Sequence, residues 1–133
     1  MPNRGRLSQN NLEELIEMAR PILIEVAKEG ECITYKQLMD RMGGRPGRGY
    51  IGEVIGRICE IEHEARRPKL AALVVRAETG MVSGGFFSTP GTPENIKRST
   101  PEECQNPGLN AADQAYWRSE LEKLYKYWQK HNF

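Results

Sequence analysis

Glu60, Glu62, His63 and Glu64 gather three carboxylates and an imidazole within five residues. Such side chains can hold a divalent ion over a phosphodiester, so metal-dependent cleavage is one chemistry to weigh. On a helix, though, these residues fall on consecutive faces instead of converging, and they read more simply as a solvated acidic surface. Cys32, Cys59 and Cys104 lie too far apart, and too far from a second imidazole, to form a zinc site, so no metal or other cofactor is expected. A second group is better placed for binding than for catalysis: Thr34, Tyr35, Lys36, Arg45, Arg48, Gly49, Tyr50 and Arg57. Its cations and hydroxyls are suited to phosphate oxygens, and the glycine lets a backbone come close.

These residues need elements to position them. Thr34-Tyr35-Lys36-Gln37 has the form of a capping box, with Thr34 as cap and Gln37 returning to its amide. The helix it starts carries Leu38, Met39 and Met42 and stops at Gly43-Gly44. Pro46 and Gly47 set a turn. A second helix is then expected from about Gly49 to Ala65, with Ile51, Val54, Ile55, Ile58 and Ile61 on its buried stripe. Gly49, Gly52 and Gly56 in that helix imply close approach to DNA or to a neighbouring helix, because glycine costs about 1 kcal/mol against alanine in a helix interior. Before this pair, Leu12, Leu15, Ile16, Ala19, Ile22, Leu23, Val26 and Ala27 recur at helical spacing. Ser8 or Asn10 could cap that first helix and Gly30 end it, while Pro21 implies a kink or a junction of two helices.

After the helix pair, Leu70 to Val75 is a continuous apolar run that reads as a buried strand. Glu78-Thr79-Gly80 signals a turn, and Met81 to Phe87 reads as the return strand of a hairpin. Residues 88–110 are rich in Pro, Gly, Ser, Thr and Asn, and are expected to form an irregular wrapping arm or a linker. Ala111 to Lys130 reads as a final helix. Its neighbouring aromatics Tyr116, Trp117, Tyr125, Tyr127 and Trp128 are expected to dock it. The fold class is thus α+β and mostly helical: a winged helix-turn-helix with a β-hairpin wing, a long irregular loop and a C-terminal helix. The boundaries are 1–88 for the winged-helix domain, 89–110 for the loop or arm, and 111–133 for the helix packing on or near that domain.

Composition limits the function classes. With 133 residues, 38% hydrophobic and 28% charged, the chain can bury a core without staples, and it has no apolar run long enough to span a membrane. Met1 to Arg6 lead into an amphipathic segment, which argues against a signal peptide. Three widely spaced cysteines argue for a reducing, cytoplasmic setting. Net charge is +1 overall, yet residues 34–76 carry nine basic and five acidic side chains. The middle third is therefore the cationic third, which permits a local polyanion contact.

The segment from about residue 33 to 87 resembles the DNA-binding half of the alkylguanine-DNA alkyltransferases and the non-enzymatic alkyltransferase-like proteins. Thr34-Tyr35-Lys36-Gln37-Leu38, the Gly43–Gly47 turn, the arginine-containing entry, Ile51-Gly52, Val74-Val75 and the glycine-containing stretch after them carry the resemblance. It implies that Tyr35 presses on a backbone phosphate beside an extruded base. Where the family has a reactive Pro-Cys-His-Arg, however, this chain has Leu70-Ala71-Ala72-Leu73. No thiol or activating histidine is present there, so alkyl transfer by that chemistry is not possible. The family's intercalating arginine falls on Gly49, with Arg48 one residue earlier.

The expectation is a non-catalytic nucleic-acid-binding protein, with duplex or damaged DNA as partner. The alternative is a protein-interaction module of a nucleic-acid-processing or defence complex, using the wing and the aromatic tail. The position of that tail discriminates between them: a tail covering the second helix would block DNA.

Overall fold

The computed structural model describes residues 8–105 and 108–130, together with the backbone but not the side chain of Arg48. Met1 to Arg6, read above for a leader, lie outside the described residues. Helix α1 (Gln9–Lys28) is continuous through Pro21. The proline and Glu17, whose carbonyl loses its donor, are both exposed, so water can satisfy the gap and neither a second helix nor a junction is needed. The Ser8 hydroxyl accepts from the Asn11 amide and caps the start. At the other end Gly30 adopts φ 71°. Its amide donates to Ala27, and that of Glu31 to Val26, a turn that closes a helix through one left-handed residue. Leu12, Leu15, Ala19, Leu23, Val26 and Ala27 form the buried stripe.

Strand β1 (Ile33–Thr34) leads into α2 (Tyr35–Arg41). The capping box is present in both directions: Gln37 N donates to Thr34 Oγ1 at 3.1 Å, and Thr34 N to Gln37 Oε1 at 2.9 Å. Gly43, at φ 81°, ends α2 as Gly30 ends α1. Helix α3 (Arg48–Glu64) follows after the turn. Its C-terminal turn has the same geometry, but the left-handed residue is Arg66, at φ 59°. The Arg67 amide thereby returns to the Glu62 carbonyl at 2.8 Å.

The expected hairpin is absent among the described residues. Leu70–Leu73 form a 3-10 turn, and only Val74–Val75 (β2) are extended. β2 pairs in parallel with β1, Ile33 against Val74 and Thr34 against Val75. The expected turn is present, between Arg76 and Met81, but the stretch expected as the return strand, Met81 to Phe87, winds into a 3-10 turn at Gly84–Ser88. The apolar run 70–75 is buried throughout, as expected. A continuous apolar run signals burial but not conformation, and the alanine pair and Gly84-Gly85 both weaken strand preference. The coarser class stands: the protein is mostly helical α+β with a two-stranded parallel sheet.

Residues 88–105 and 108–110 wrap, and they contain a short helix, α4 (Pro101–Gln105). Two cations, buried Lys69 and half-buried Arg98, hold this arm. Lys69 Nζ donates to Thr89 and Thr92 at 2.7 and 3.0 Å, and burial pushes its pKa down. Arg98 stacks over Phe87 and donates to the carbonyls of Glu103 and Gly108 and to Asp113. Phe86 and Phe87 are both buried. Helix α5 (Ala111–Lys130) packs Trp117, Leu124 and Trp128 into the same core. The Trp117 indole donates to the Ala72 carbonyl at 2.9 Å, and the Tyr125 hydroxyl to that of Glu31. No helix among the described residues is long and apolar enough to cross a membrane.

Gly84 lies where the arm meets the core. A Cβ there would overlap the Cys104 carbonyl and the Arg98 guanidinium. Gly84→Ala is therefore expected to lower stability by about 1–3 kcal/mol through overpacking, read as a drop in the urea midpoint at unchanged slope.

Candidate nucleic-acid interface

The capped α2, the turn and the uncapped start of α3 bring most of the candidate residues to one end of the molecule. Gly47 precedes α3 and offers no side chain to its first amides. Those amides and the helix dipole favour an anion. Gly49 and Gly52 are exposed, and a Cβ built on Gly49, Gly52 or Gly56 would meet no atom within 4 Å. Among the described residues, no neighbouring helix therefore uses the bare strip. α5 does not pack there either; it packs on α1 and on the Leu70–Leu73 turn.

The cations around the strip are tied to acids at the surface. Lys36 pairs with Asp40 at 2.9 Å, Arg45 with Glu14 at 3.3 Å, and Arg57 with Glu60 at 2.9 Å. Exposed pairs of this kind contribute about 0–1 kcal/mol, so a phosphate can displace them at little cost. Tyr50 is half-buried in the first turn of α3. The Arg48 side chain lies outside the described residues. Thr34 serves as helix cap, and its hydroxyl is occupied by that role. The cationic middle third is also divided, because Arg66, Arg67 and Lys69 sit beyond the far end of α3.

Tyr35 is half-buried and its hydroxyl lies 2.9 Å from Ser83 Oγ. Behind it is a cavity of about 340 Å³, lined by Tyr35, Gly52, Gly56, Ala71, Ser83 and Phe86 among others. On its other side is a shallower groove of about 360 Å³ reaching Thr34, Lys36 and Arg76. Tyr35, Gly52 and Ser83 line both. Ser83, Ala71 and Arg76 join the lining without a signal of their own in the sequence. They come together only because β1 and β2 pair, which no local signal encodes.

The acidic cluster does not assemble. Glu62 was read as solvated, yet it is fully buried. Its Oε1 accepts from Arg67 Nε at 2.8 Å and its Oε2 from Arg20 Nε at 2.9 Å, with a second bond from each arginine. Burial pushes its pKa up, but the hydrogen bonds and charges of Arg67 and Arg20 outweigh that and hold it below the usual value. The signal was present in the sequence: Glu62 lies four residues after Ile58 and seven after Ile55, on the apolar stripe itself. No group of three or more metal-ligating side chains forms among the described residues. Cys59 is buried, and that burial pushes its thiol up to about 11, far from a thiolate at neutral pH.

Glu60 sits on the glycine strip and holds Arg57. Glu60→Gln is expected to strengthen DNA binding about three-fold at low salt, by removing a like charge and freeing a cation. Fluorescence anisotropy at constant ionic strength measures it.

No protein-family model, no curated protein and no solved structure matches this chain.

Proposed function

We propose that the protein binds DNA without catalysing a reaction on it, through α3 and the Gly/Arg turn. The observation that carries this reading is the bare glycine strip of α3 beside a cavity. Gly49, Gly52 and Gly56 cost helix stability, and nothing among the described residues occupies the space they leave. A backbone or a base from outside can come as close as helical backbone allows. In this reading the Arg76–Met81 turn takes the place of the hairpin wing, so the protein works as a winged helix-turn-helix with a reduced wing.

Lys36, Arg45, Arg48 and Arg57 position phosphates, and the α3 amides add to them. The resemblance to the alkyltransferase family gives Tyr35 a further part. A phosphate that drew its hydroxyl away from Ser83 would leave the cavity open to an extruded base. Ala71 stands in the wall of that cavity, where the family carries its cysteine, which favours recognition over transfer. The placement of α5 also favours DNA over the protein-interaction alternative, since the tail leaves Gly49 and Gly52 exposed.

Lys36→Ala with Arg48→Ala tests the reading. Two lost phosphate contacts should reduce the slope of log affinity against log salt by about 1.8 for duplex DNA. Absence of binding at low salt to duplex, damaged and single-stranded DNA alike would overturn it.

A further inference from the structure

A second cleft lies away from this face. It measures about 580 Å³ and runs between α1 and α5, which is within the range of small-molecule sites. Its walls are of two kinds. Arg20, Lys28 and Arg67 supply cations, while Tyr127 and Trp128 supply rings. Glu62, to which both arginines are tied, is thirteen residues along α3 from Gly49, about 20 Å by helical rise. The cleft is thus remote from the glycine strip.

The two guanidiniums are preorganised. Each spends two N–H groups on buried Glu62, and a guanidinium has five. Their side chains remain 29% and 26% exposed, so donors are left over at a partly enclosed surface. One buried carboxylate cancels one of the two charges and fixes both forks in place. A third cation, Lys28, stands at the cleft, with Glu25 as its acidic member. The Arg20 guanidinium also lies 5.9 Å from the centre of the Trp128 ring. Tyr127 meets that indole edge to face at 5.0 Å and is only half-buried.

We propose that this cleft binds a nucleoside monophosphate, with its phosphate on Arg20 and Arg67 and its base against Tyr127. A phosphate is favoured over a carboxylate because three oxygens can take donors from two separate forks at once. The flat base is favoured because the other wall is aromatic and has an adjoining cation. The same chemistry occurs in a free nucleotide and at the 5′-phosphorylated end of a strand. The site stands independently of DNA binding at α3.

The test titrates the full chain with adenosine monophosphate, adenosine and inorganic phosphate, followed by tryptophan fluorescence and amide chemical shifts. Adenosine monophosphate should saturate, and each half-ligand should bind at least about ten-fold more weakly. Lys28→Glu and Tyr127→Ala should each weaken it about ten-fold with the fold retained by circular dichroism, since both leave Arg20, Arg67 and Glu62 in the chain. Lys36→Ala with Arg45→Ala should leave it unchanged. A 5′-phosphorylated trinucleotide that binds tighter, and still needs Lys28 and Tyr127, supports the site and assigns the strand end as source. The proposal is overturned by any of three results: no saturation with adenosine monophosphate, equal binding of inorganic phosphate, or loss of binding in the Lys36/Arg45 variant instead.

Discussion

Gly52→Glu is expected to fold at least as well as the parent and to lose DNA binding. Gly52 is exposed in the second turn of α3, and a Cβ there meets nothing within 4 Å. Replacing glycine in a helix interior by a good helix former adds roughly 0.5–1 kcal/mol. The melting temperature should therefore hold or rise by about 2–6 °C. A carboxylate in the strip would both fill the approach and repel phosphate. Affinity should fall by more than about ten-fold, or 1.4 kcal/mol. Gly52→Ala separates the two effects, adding helix stability with only a methyl of bulk. Parent-like DNA affinity in Gly52→Glu would mean that the strip is not the contact, whatever happens elsewhere on the surface. Few single changes move stability and binding in opposite directions, so the result cannot be attributed to misfolding.

The second large effect concerns Glu62. Arg20→Met combined with Arg67→Met leaves a carboxylate with no exposed surface and neither of its cations. Stranding a buried charge in this way costs about 3–5 kcal/mol. Against a total stability on the order of 5–15 kcal/mol, the variant should melt more than about 10 °C below the parent. Adding Glu62→Leu to the same chain should restore most of the loss, because apolar replacement of a buried ion cluster is commonly neutral or better. Calorimetry on the parent, double and triple variants decides it. A double variant as stable as the parent would mean that the carboxylate reaches water after all.

Features set by residues three to six apart were legible from the residues alone. Thr34 with Gln37, Ser8 with Asn11, and the glycines that end α1 and α2 all act within one turn. The buried stripe of α3 was legible for the same reason, apart from Ile61, which is only half-buried. What failed were the long-range pairings and their consequences. Leu70 to Val75 announced burial, but its partner is a strand about forty residues earlier, and no hairpin signal competes with a distant edge. Met81 to Phe87 looked extended because valine and phenylalanine favour strands, yet Phe86 and Phe87 fill the core from a 3-10 turn and Val82 from the irregular stretch before it. The end of α3 was legible to within a residue, but the turn after it was not, since a left-handed arginine carries none of the glycine signal that marked the other two helices. That turn brings Arg67 back over Glu62, and so hid the second cleft as well. For the interface itself, Tyr35, Lys36, Arg45 and the glycines were visible, but the cavity was not, because its wall is assembled from both sides of the parallel pair.

That pair has a consequence for the order of assembly. Ile33 against Val74 and Thr34 against Val75 knot the chain immediately before α2 and well after α3. The whole helix-turn-helix is therefore a closed loop whose ends meet at two residues. Closing a loop of this length is an entropic cost that must be met before its contacts repay it. The face formed by α2, the turn and α3 is thus completed only when this junction closes, and Thr34 and Val74 of the junction also line the groove and the cavity beside Tyr35. Its two ends also leave the body side by side, one strand spacing of about 4.8 Å apart, so the unit has the form of a cassette held at its base.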